Sequence, residues 1–127
     1  SNLTKTLESV QNRAVRFAFS DYSYHTSVSS LKDKANLANL ESRRKTTRLC
    51  LFHKFYHSPL RNAVITRAHR HSARINHQQA VQPPQASTSS HLKSFFVLTA
   101  KDWDCLPAEA VTHLDNARFK SLIENIT

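Results

Sequence analysis

Not one of the chain's 127 residues is glycine. Glycine reaches positive φ without steric cost and lets a backbone close on a phosphate. Phosphate-cradling loops and strained nucleophile turns are therefore not expected. Helices must end on asparagine, such as Asn36, or on other stops.

The apolar residues recur mostly at helical spacing. Leu3, Leu7, Val10, Ala14 and Phe17 follow alternating steps of four and three, which predicts an amphipathic helix over 3–18 with these five on its packing stripe. A turn-rich connection over 19–26 leads to a shorter helix over 27–35, with Val28 and Leu31 inward and Asn36 ending it. The longest helix is expected over 38–57, with Leu49, Phe52, Phe55 and Tyr56 on one side and Pro59 as its stop. Pro107 suits the first turn of a short helix ending near His113, and Asp115 or Asn116 caps a last helix whose apolar face is Phe119, Leu122, Ile123 and Ile126. Ser94–Thr99 has the aromatic and β-branched content of a strand, and a short antiparallel ribbon is expected between Gln79–Val81 and Ser94–Leu98. The expected fold is mainly α, a small helical bundle. It comprises three N-terminal helices over 1–58, a basic polar linker over 59–92, and an aromatic strand, turn and closing helix over 93–127.

Hydrophobic residues make up 39% of the chain, which limits the core. Methionine is absent even at position 1, and the expectation is a fragment or processed piece. Eighteen Lys and Arg against nine Asp and Glu give a net charge of +9, with eight histidines able to add more in acid. Such a field attracts polyanions, nucleic acid foremost, or else keeps a surface soluble. No apolar run approaches membrane-spanning length and no signal peptide opens the chain, so no membrane partner is expected. Two cysteines are too few for a disulfide framework, which favours reduced thiols and an intracellular setting, cytoplasmic or nuclear.

Arg43, Arg44, Lys45, Arg48 and Lys54 form the densest cationic stretch, on the long helix, where they can neutralise backbone phosphates or face water. Arg13 and Arg16 extend that track. The linker's Arg61, Arg67, Arg70 and Arg74, among His69, His71 and His77, form a second basic arm or a plain tether. Phe52, Phe55, Tyr56, Phe95 and Phe96 could stack on bases but suit core stripes better. Cys50, His53 and His57 stand one and two turns apart, a spacing that zinc can use with a fourth ligand from Cys105, His69 or His71; the simpler expectation is a helix flank with two exposed histidines. Asp102 and Asp104 fit turn capping better than a magnesium site. Trp103, Leu106 and Pro107 are expected to plug the space between the last helix and the long helix, with Phe119 in the same core. No catalytic constellation emerges, and no cofactor or small-molecule substrate is expected.

Three stretches carry a family resemblance, in order: Leu7-Glu8-Ser9-Val10-Gln11-Asn12-Arg13-Ala14, then Leu40-Glu41-Ser42-Arg43-Arg44 to Lys54, then Phe95-Phe96 with Trp103-Asp104-Cys105-Leu106-Pro107. Together they resemble the end of the polyprotein of non-LTR retrotransposons, of the kind found in arthropods such as ticks. The resemblance implies a thumb-like segment that follows the fingers and palm of an RNA-directed DNA polymerase. Such a segment holds template RNA or an RNA/DNA primer–template duplex without sequence preference and carries no catalytic residue itself. That family shows Phe-Phe-Pro-Arg-Thr where this chain has Phe96-Val97-Leu98-Thr99, and Trp-Asn where this chain has Trp103-Asp104. These departures fit a decayed or host-acquired copy. The alternative is a structural or protein-interaction module whose apolar helix faces dock on the polymerase or another protein.

Overall fold

The computed structural model describes residues 2–66 and 79–126. The linker residues Arg67, His69, Arg70, His71, Arg74 and His77 lie outside that range. Among the described residues every regular element is a helix. In order they are α1 (Asn2–Ala18), α2 (Val28–Lys34), α3 (Leu40–Tyr56), α4 (Arg61–Val64), α5 (Ser89–Leu92), α6 (Phe95–Asp104), α7 (Ala108–Thr112) and α8 (Asn116–Ile126). They fall into two compact units, Ser1–Arg44 and Lys45–Thr127.

In the first unit the chain ends two helices without glycine, and by the same device. After α2, Asn36 takes φ 53°. The Leu37 N–H reaches the Lys32 carbonyl at 2.9 Å and the Asn36 N–H the Asp33 carbonyl at 3.0 Å. After α1, Ser20 takes φ 50°, with Asp21 N–H to Arg16 O at 3.0 Å and Ser20 N–H to Phe17 O at 3.1 Å. Both are Schellman closures, which satisfy carbonyls the helix would otherwise leave open. Asn36 is the stop that the sequence predicts. Ser20 is not, because serine has no special preference for the left-handed region and accepts it here at a steric cost.

α1 packs against α2, but not through its apolar stripe. Leu3, Leu7, Val10 and Phe17 are 78%, 50%, 52% and 75% exposed, while Val15, off the stripe, is buried. The expectation that the stripe faces inward is therefore corrected. The contact side of α1 is polar: Glu8 pairs with Lys32 at 3.4 Å and accepts the Glu41 N–H at 3.2 Å, and Gln11 donates to the Ala38 carbonyl at 3.2 Å. A carboxylate facing the first turn of α3 satisfies an amide that has no partner within the helix.

The second unit has one aromatic core. Leu49, Phe52 and Tyr56 from α3 meet Trp103 from α6, Val111 from α7, and Phe119 and Ile123 from α8. Trp103 is wholly buried, its ring 5.2 Å from Phe52, 5.0 Å from Tyr56 and 5.9 Å from Phe119. Its indole N–H donates to the Gln79 carbonyl at 3.1 Å, the partner a buried Trp requires. Phe55, Phe95 and Phe96 pack against this cluster half-buried, as core and not as an exposed stacking platform.

The expected β-ribbon is absent, since Ser94 is the N-cap of α6 and no strand occurs among the described residues. Val97, Ala100 and Trp103 are 1%, 2% and 0% exposed. A strand alternates sides every residue and would set Ala100 opposite the other two, whereas a helix turns all three onto one core. Burial of Trp103 thus overrides the β preference of the local residues. Gln79–Val81 is tied instead by the Trp103 bond and by Val81 N–H to Asp104 Oδ1 at 2.9 Å. Pro107 is exposed and caps α7, so the plug expected of three residues is made by Trp103 and Leu106. Asp115 caps α8, accepting from the Ala117 and Arg118 N–H groups at 3.3 and 3.4 Å.

Candidate nucleic-acid interface

The cations singled out by the sequence do not behave alike. Arg43 and Arg44, in the opening turns of α3, are exposed. Lys54, near the other end of that helix, is exposed too. Lys45 and Arg48 are turned onto one acid: Lys45 Nζ lies 3.8 Å from Asp102 Oδ1, and Arg48 Nη2 lies 3.2 Å from Asp102 Oδ2. Their side chains are only 40% and 25% exposed, and Arg48 Nη1 makes no hydrogen bond among the described residues. Asp102 is therefore an anchor for α3 cations, and Asp104 holds the Val81 amide.

Arg13 is exposed on α1. Arg16 is not part of any track. Its guanidinium donates to three carbonyls, Asp21 at 3.3 Å, Ser23 at 3.0 Å and Thr26 at 3.0 Å, and so folds the loop after α1. A planar group with five donors suits that task better than lysine would. In the same loop the Ser23 N–H donates to the Asp21 carboxylate and holds its pKa below the usual value. Arg61, from the linker, lies 5.3 Å over the Tyr56 ring.

The histidines differ most from expectation. His53 is 1% exposed, so one of the two histidines expected on an open flank is core. Its ring stacks on Phe119 at 4.3 Å and 17°. Its Nε2 faces the His113 carbonyl, and its Nδ1 lies 3.1 Å from the Asn116 amide nitrogen, which also donates to the Cys50 carbonyl at 2.9 Å. A carbonyl only accepts, so the network assigns the proton to Nε2 and leaves Nδ1 as acceptor. Burial pushes the His53 pKa down, against a smaller upward pull from the His113 carbonyl. His57 is half-buried with Nε2 3.3 Å from the Val111 carbonyl, and burial lowers its pKa as well. Burial raises the Cys50 thiol.

Both ring nitrogens of His53 thus have partners within the core. No group of three His, Cys, Asp or Glu able to hold a metal occurs among the described residues. Cys50 and His53 lie on α3 and His57 just past its end, and among the described residues they form no metal-holding group; His69 and His71 lie outside the described residues. Cys50 and Cys105 form no disulfide with each other.

No protein-family model, curated protein or solved structure matches the chain.

No described helix is long and apolar enough to cross a membrane. Of the basic candidates, those exposed are Arg13, Arg43 and Arg44 in the first unit and Lys54 in the second. Sequence reasoning missed Asp102 as the residue that takes two of the basic candidates out of play. Its signal lay in the facing charge, 54 positions from Arg48, which no local pattern connects.

Proposed function

We propose that the chain is a non-catalytic nucleic-acid-binding segment of a retrotransposon reverse transcriptase, holding template RNA or an RNA/DNA duplex by its phosphates. The single observation that carries this is the exposure of the adjacent pair Arg43–Arg44 in a chain of net charge +9. Support also comes from the three family-like stretches in their order. Lys54 and Arg13 add further reachable cations, each able to meet a phosphate on its own. Lys45 and Arg48 are secondary, because Asp102 already neutralises part of their charge. Backbone contacts release counterions and carry no base information, so binding is without sequence preference.

The test is the salt dependence of binding to single-stranded RNA and to an RNA/DNA duplex. Arg43→Ala with Arg44→Ala is expected to weaken binding and flatten the slope by up to about two units, one for each lost phosphate contact. An unchanged slope removes the pair from the interface.

A second function is favoured by the open stripe of Leu3, Leu7, Val10 and Phe17. Contiguous exposed apolar surface marks interaction sites, and here it suits a module that docks on a polymerase or another protein. Absence of retention on both heparin and RNA at moderate salt would favour this function over the first.

A further inference from the structure

The second unit contains a pocket of about 320 Å³ whose composition is unlike the rest of the chain. None of its described lining residues is charged, although the chain has 18 Lys and Arg and eight His. Its floor is core: Phe52, Val81 and Ala100 are each 2% exposed or less. Rings line much of it, the flat ones of Phe52 and Phe96 and the puckered ones of Pro83 and Pro84. Polar side chains among the described lining are Thr66, Gln82 and Gln85, all exposed, which add a hydroxyl and two amides to the polar half of the surface.

The walls are held in place. Gln82 N–H donates to the Thr66 carbonyl at 2.7 Å, Val81 N–H to Asp104 at 2.9 Å, and Trp103 to the Gln79 carbonyl at 3.1 Å. Two successive prolines then stiffen the chain. Three ties and a stiff run resist collapse of the space, so a guest need not organise it.

From this geometry we infer a binding site for an uncharged, flat small molecule that combines apolar surface with one or two hydrogen-bonding groups. Its size matches pockets that take such ligands, where apolar walls give affinity and polar groups set orientation. A charged guest would lose its hydration with no opposite charge among the described lining residues to replace it. The site is independent of the phosphate-binding function, which uses other residues and the opposite chemistry.

The probe is indole, titrated into the full ¹⁵N-labelled chain. The expected result is saturable amide shifts at Val81, Gln82, Gln85 and Ala100, with indole-3-acetate and tryptamine at the same concentrations leaving them unmoved. Ala100→Leu fills the floor and should weaken indole binding by at least about tenfold. Should that variant misfold, intermolecular NOEs from indole to the Ile65 and Val81 methyls in the unaltered chain replace it. Absence of saturation, shifts centred away from these residues, or equal binding of the charged analogues would each overturn the inference.

Discussion

α1 and α6 make an instructive pair. α1 has the more regular amphipathic pattern, yet it buries only Val15 of its 17 residues. α6, whose residues favour strands, buries Val97, Thr99, Ala100 and Trp103 out of ten. The first unit holds its helices with polar links, Glu8 to Lys32 and Gln11 to Ala38. The second holds them with a cluster of rings around Trp103. Periodicity reports that a residue can join a stripe. What a stripe then packs against is decided by partners elsewhere in the chain, and α1 has none for its stripe among the described residues.

The sharpest way to break this contrast is to remove the centre of the second unit. Trp103→Ala deletes a fully buried ring and its bond to Gln79, and should cost about 3–5 kcal/mol, read as a large fall in melting temperature. Little change would mean that the ring cluster does not hold the unit.

Acid should act on the same core. His53 and His57 both have folded pKa values lowered by burial, below the roughly 6.5 of a free histidine. The unfolded chain therefore binds protons first. Stability is complete above about pH 6.5 and falls as pH drops below it, until the folded groups also titrate. At His53 a second proton would place an N–H against the Asn116 amide, a buried mismatch of about 1–3 kcal/mol. Groups around the pair pull both ways: Asp115 favours charge on His53, whereas His113 and Arg61 oppose it on His53 and His57 respectively. Denaturant midpoints between pH 8 and pH 5 check this, and His53→Phe should remove its share of the slope while that of His57 persists. A flat profile would place His53 in contact with water.

These two cases show what a sequence can reveal of this fold. The helices α1, α2, α3 and α8 are legible from spacing, and Asn36 and Asp115 from their chemistry as stop and cap. The helical state of Phe95–Asp104 is not, because the residues that favour it, Phe52 and Phe119, are far along the chain and act through Trp103. Candidate site residues follow the same rule. Arg43 and Arg44 lie on the surface, where a charge run suggests they should be. Arg16 and Arg48 are claimed by partners that only folding brings near, the loop carbonyls and Asp102.

Asp102→Asn tests that last distinction at a smaller scale. Losing two partly exposed ion pairs should cost on the order of 1 kcal/mol or less, since such pairs contribute little each in water. The same change releases Lys45 and Arg48. RNA binding should tighten and its salt slope steepen, by up to about one unit per cation that now meets a phosphate. Unaltered RNA binding would leave those two residues with a purely internal role.

The smallest effect is expected where the sequence pattern looks most like a core. Leu7→Ser with Val10→Ser removes two apolar side chains that are already about half exposed. Burial lost in folding is slight, and surface substitutions of this kind usually stay within about 0.5 kcal/mol. Helix propensity falls a little at Leu7 and hardly changes at Val10, which belongs to the same small range. The melting temperature should therefore hardly move, in contrast to Trp103→Ala. A fall comparable to that of the tryptophan variant would show that the stripe is covered in solution, by a second copy or by residues outside the described range. Sedimentation of the unaltered chain then separates the two: a concentration-dependent dimer points to the copy, and a monomer at every concentration points to the chain itself.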